Sequence, residues 1–144
     1  MTNPIIYILF LLVLCSSCGQ TADRSSDETP DTTAVKLSRV DSMMMEISRT
    51  PDSLRTPEQL ETTRKVLLMA ARYVEINDGV YTFTLPKEEF VEKTGLDIEF
   101  YDAIMKNMDD NNSYTEEMAE RINFKELEES FNKQKEQWLE EYGD

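Results

Sequence analysis

Residues 86–108 read PKEEFVEKTGLDIEFYDAIMKNM, and this stretch decides the fold class. Phe90 and Val91 close a short helix, and Thr94-Gly95-Leu96 makes a corner. Ile98, Tyr101, Ile104, Met105 and Met108 then recur at the spacing that lines one face of a second helix. Gly95 supplies the positive φ that ends the first helix, and Asp97 stands where a carboxylate can cap the second. Two helices joined by a tight corner predict a mainly α domain.

Upstream, Thr56-Pro57-Glu58-Gln59 marks another helix start. Thr is an N-cap, Pro suits the first helical position, and Gln59 has the spacing of a capping box. Leu60, Leu67, Met69, Ala70, Ala71, Tyr73 and Val74 carry that helix to Asn77-Asp78-Gly79, which reads either as a helix C-terminus or as a hairpin turn. Residues 80–85 (VYTFTL) alternate Tyr81, Phe83 and Leu85 with Thr82 and Thr84, the period of a strand whose nearest partner is residues 73–76. Before Thr56, an apolar helical pattern through Val35, Leu37, Val40, Met43, Met44 and Ile47 stops ahead of Pro51, which disfavours helical geometry at Thr50.

The C-terminal third predicts the longest helix, starting at Ser113 or Thr115 and restarting at Asn123 after a kink. Phe124, Leu127, Phe131 and Trp138 share a face, Gln134 interrupts it, and Leu139 and Tyr142 flank it, while glutamates and lysines fill the remainder. The expectation is a small helical bundle of four or five helices over residues 35–144, with a short β-hairpin or strand near residues 73–85.

The amino-terminal segment speaks to location. Residues 5–15 form eleven consecutive apolar positions, too short to cross a ~30 Å hydrocarbon core but suited to the apolar region of a secretory signal. Ser16-Ser17-Cys18 follows. This arrangement resembles a bacterial lipoprotein signal with its lipobox. The resemblance implies a signal peptide over residues 1–17, a covalent N-terminal lipid on Cys18 and a cell-envelope location, most simply the outer membrane. Residues 18–34 contain no large apolar side chain and read as a tether between lipid and folded body. With Cys15 removed and Cys18 lipidated, no disulfide is expected, so packing must hold the fold.

The chain carries 15 basic and 29 acidic residues, a net charge of −14, and has no histidine. The commonest general base and metal ligand is therefore missing, and nucleic acid is disfavoured because phosphate neutralisation needs clustered Lys and Arg. The 86–108 corner resembles a DNA-binding helix-turn-helix only in spacing, since its second helix opens Asp97-Ile98-Glu99 and would meet phosphates with carboxylates. Asp109, Asn111, Ser113, Thr115, Glu117 and Glu120 stand at the ligand spacing of a calcium-binding EF-hand loop, although Tyr114 replaces the turn glycine. A polar connection between helices accounts for the same residues. Met43-Met44-Met45 is read as core rather than as a copper site, because consecutive helical side chains point about 100° apart. Asp31-Thr32-Thr33, Asp41-Ser42-Met43 and Asp52-Ser53-Leu54 resemble an Asp-Ser/Thr-aliphatic acceptor for periplasmic O-glycosylation, with Thr32, Ser42 and Ser53 as acceptors. The expected function is non-enzymatic: a lipid-anchored envelope protein that binds another envelope protein. The alternatives are a small hydrolase using carboxylates alone and a weak calcium-binding module.

Overall fold

The computed structural model describes residues 38–143. Cys18, Thr32, Val35 and Leu37 lie outside the described residues. Among the described residues the chain forms five α-helices and one β-hairpin, in the order α1 (Arg39–Arg49), a 3-10 turn (Asp52–Leu54), α2 (Pro57–Tyr73), β1 (Val74–Asn77), β2 (Val80–Phe83), α3 (Lys87–Thr94), α4 (Ile98–Glu117) and α5 (Phe124–Tyr142). The mainly α expectation holds, and of the hairpin-or-strand alternatives near residues 73–85 the chain takes the hairpin.

Local chemistry sets most boundaries. The Thr56 hydroxyl accepts from the Gln59 N–H at 3.2 Å, and the Gln59 side chain accepts from the Thr56 N–H at 3.0 Å. A second capping box opens α1, where Ser38 and Asp41 exchange the same pair of bonds. The sequence reading, which ran that helix back to Val35, had passed over it. Asn123 caps α5 by accepting from the Glu126 N–H. Thr50 is extended ahead of Pro51, as the proline requires.

Helix α2 stops at Tyr73 and the hairpin forms. Asp78 and Gly79 both have positive φ, 50° and 78°, the signature of a two-residue turn whose twist matches the strands. Val74 faces Phe83 and Ile76 faces Tyr81 in antiparallel register. Val74, Ile76 and Tyr81 are buried, whereas Glu75, Asn77, Val80 and Thr82 face solvent.

Helix α5 lies along α2 and β1. Phe131, Gln134 and Trp138 form its buried stripe, and Phe131 and Trp138 meet edge-to-face at 6.4 Å. The core extends through Val40, Met44 and Ile47 of α1 and Val66, Leu67, Met69, Ala70 and Ala71 of α2 to Phe90, Leu96, Phe100 and Met108. Tyr73, Phe83, Phe90 and Tyr101 are chained by ring contacts of 5.5 to 6.4 Å, which join α2, the hairpin, α3 and α4.

Two sequence expectations are corrected. Helix α4 runs unbroken to Glu117, so no helix begins at Ser113 or Thr115, and with 20 residues it is one longer than α5. The break falls at residues 118–123. The amphipathic period continues through residue 115, but Asn111 and Thr115 occupy its buried positions, so the inward face is no longer apolar. Asp97 occupies the N-cap position of α4 without a side-chain capping bond, because its carboxylate accepts from Arg39 at 3.0 Å.

Trp138 is 2 % exposed, so Trp138→Ala should cost about 3–5 kcal/mol and lower the melting temperature strongly. Glu129→Ala, on the exposed side of α5, should leave it nearly unchanged; thermal denaturation followed by circular dichroism distinguishes the two. Gly79→Ala should also destabilise, by roughly 1–3 kcal/mol. It places a Cβ 2.5 Å from the Phe124 ring at a backbone angle that L residues rarely adopt.

Candidate interaction surface

The residues with calcium-ligand spacing do not form a loop. Asp109, Asn111, Ser113, Thr115 and Glu117 all lie on α4, and Glu120 lies in the connection that follows. Alternate residues of an EF-hand curl around their ion because the backbone there is not helical; on a helix, residues two apart point some 200° away from each other. Asn111 and Thr115 face inward, whereas Asp109, Ser113, Glu117 and Glu120 face solvent. Among the described residues, no three acidic or thiol side chains are grouped so as to hold a metal ion.

Two of the polar side chains of α4, Asn112 and Thr115, serve the hairpin instead. Asn112 behaves as a third strand: its Oδ1 accepts from the Tyr81 N–H at 2.6 Å, and its Nδ2 donates to the Tyr81 carbonyl at 3.0 Å. The Thr115 hydroxyl donates to the Gly79 carbonyl at 2.8 Å. From α5, the Lys135 ammonium donates to the Val74 carbonyl at 2.8 Å while lying over the Phe131 ring, and a Glu128 carboxylate oxygen accepts from the Asp78 N–H. Sequence reasoning passed over Asn112, Lys135 and Glu128, and no local pattern marks them. Burial raises the Tyr81 phenol above its ordinary pKa, and burial together with Glu141 pushes Tyr142 up to about 12.

The glycosylation-like triplets differ in setting. Ser42 is exposed on α1, but its motif neighbour Asp41 closes the capping box and Met43 packs against the core. Ser53 lies in the exposed 3-10 turn, where Asp52 pairs with Arg55 at 2.7 Å and Leu54 is 72 % exposed. Thr32 and the lipid-acceptor Cys18 lie outside the described residues.

The α3–α4 corner forms a distinct surface. Gly95, at φ 67°, donates its N–H to the Val91 carbonyl, and Lys65 of α2 donates to the Gly95 carbonyl at 3.2 Å. The Thr94 hydroxyl donates to the Phe90 carbonyl and accepts from the Leu96 N–H, which fixes the turn. Across the corner, the Lys87 ammonium meets Asp102 at 2.7 Å and lies 5.4 Å from the Tyr101 ring centre; the hydrogen bond to Asp102 is the main reason its pKa is raised. Arg39 reaches from α1 to Asp97 at 3.0 Å and to Glu99 at 2.8 Å, and the Glu99 hydrogen bond raises the guanidinium further. Three apolar side chains stay in solvent here: Val91 (50 % exposed), Ile98 and Met105. Three carboxylates of this surface, Asp97, Glu99 and Asp102, are thus each held by a cation of α1 or α3.

Compared with known proteins, the chain matches no family model, no curated protein and no solved structure.

Adding millimolar calcium should leave the melting temperature unchanged, since a ligand stabilises only by binding the native state. Asn111→Leu offers a second check. The amide of Asn111 is 1 % exposed, and neither of its polar atoms has a hydrogen-bond partner among the described residues. Replacing it with an apolar group of similar volume should hold or raise the melting temperature, whereas a calcium ligand would lose calcium-dependent stability.

Proposed function

We propose that this protein is a lipid-anchored cell-envelope protein whose helical domain binds another envelope protein. The observation that carries the binding role is the α3–α4 corner, where Val91, Ile98 and Met105 remain in solvent although the neighbouring Phe90, Leu96 and Phe100 are buried. Exposed apolar side chains that come together in one patch mark surfaces that proteins use for contact. The anchor rests on the sequence: an apolar run, two small residues and Cys18, followed by a polar segment ahead of Ser38. Lipidation at Cys18 confines the domain near a membrane, where even a modest affinity for a membrane partner suffices because the effective concentration is high.

Two measurements test the reading. Cys18→Ser should abolish fatty-acid labelling and release the protein from membranes, since acyl chains supply the attachment. Retained labelling and membrane association would overturn the anchor. Cross-linking of the wild-type chain in native envelopes, followed by mass spectrometry, should give one dominant protein adduct. Only random adducts proportional to abundance would overturn the binding role.

A further inference from the structure

We propose that the outward stripe of α4, together with Val91 of α3, is the docking surface for a basic amphipathic helix of the partner protein. This inference rests on the binding role proposed above and names the surface and the chemistry of its occupant. Ile98, Asp102, Met105 and Asp109 follow one another at steps of four, three and four residues, so they form one stripe along α4 in which aliphatic and carboxylate side chains alternate. All four are exposed. The Lys87–Asp102 ion pair holds the flank of α3 against this stripe. Val91 stands one turn beyond Lys87 toward the corner, and Ile98 one turn before Asp102, which brings the two exposed aliphatic groups to the same end of the surface.

Charge chooses the occupant. Residues 87–105 carry two lysines against six carboxylates, and with Arg39, which pairs with Asp97 and Glu99, the surface keeps a net charge of −3. A second copy of this chain would set carboxylates against carboxylates, and an anionic lipid surface would be repelled in the same way. A helix with leucine-like residues on one face and Lys or Arg beside them satisfies both halves of the stripe. Its aliphatic groups cover Ile98, Met105 and Val91, and its cations reach Asp109 and share Asp102 with Lys87.

The test uses the full chain in phosphatidylcholine nanodiscs and a dye-labelled 14-residue helical peptide of leucine and lysine, read by fluorescence anisotropy against empty nanodiscs. Wild-type protein should bind it with a micromolar dissociation constant, weakening with salt, and should ignore a leucine–glutamate counterpart. Val91→Ser combined with Ile98→Ser leaves the net charge unchanged and should weaken binding about tenfold or more. Asp109→Asn should give a smaller loss and a shallower salt dependence, and Leu54→Ser, outside the stripe, should have no effect. Unchanged melting temperatures confirm that these exposed substitutions leave the fold intact. Equal affinity of the wild-type and Val91→Ser/Ile98→Ser proteins, or no binding of the lysine peptide to wild type, would overturn the proposal. The envelope cross-link separates the two readings. If the serine variant still captures the same partner, the binding role stands and the α4 stripe is not its surface.

Discussion

A two-stranded hairpin has two open edges and one face to bury, and alone in water it is marginally stable. The domain is arranged around meeting those needs. The Val74–Asn77 and Val80–Phe83 strands leave backbone groups pointing outward, and helix side chains from both sides satisfy them: Asn112 and Thr115 on the β2 side, Lys135 and Glu128 on the β1 side. The same helices bury the inner face, where Val74, Ile76 and Tyr81 enter the core. An unpaired buried backbone group would cost about 1–3 kcal/mol, so the Thr115 bond to the Gly79 carbonyl gives α4 a reason to extend that far. Helix α4 therefore continues past Met108 with a polar inner face. The hairpin in turn gives α2 a place to end and brings α3 back across the ring cluster of Tyr73, Phe83, Phe90 and Tyr101.

Much of this was legible in the sequence where the deciding chemistry is local. Thr56, Pro57 and Gln59 mark the start of α2 because a cap needs only its own turn. Asp78-Gly79 marks the hairpin turn once a strand partner exists, and the corner at Gly95 follows from a positive φ that suits glycine. What escaped depends on distant partners. The inner face of α4 past Met108 looked like a polar connection because Asn112 and Thr115 are there for a hairpin some thirty residues away. Asp97 looked like a cap, but Arg39, 58 positions earlier in the chain, claims its carboxylate. The α3–α4 surface was hidden for a similar reason. Ile98 and Met105 have the spacing of core residues, and only the tertiary arrangement decides that they face outward.

Acidity is usually read as solvation, and on most of α5 it does no more than that. At the α3–α4 corner it acts differently, since carboxylates there are bound in pairs with Lys87 and Arg39 and alternate with aliphatic groups. Among the described residues there is no cysteine, so the domain is held by packing, caps and the clasped hairpin. The α3–α4 corner shares in this packing through Phe90, Leu96 and Phe100, while Val91, Ile98 and Met105 are left on its outer side.

The Arg39 clamp has a mechanical meaning. A pull on the chain ahead of Ser38 loads the first turn of α1, where Arg39 links to the opening turn of α4 through two exposed ion pairs. Behind that link, Val40, Met44 and Ile47 seat α1 in the core with a modest aliphatic surface. Helix α1 is thus the first element that such a load reaches, and two exposed ion pairs with three buried aliphatic side chains are what hold it there.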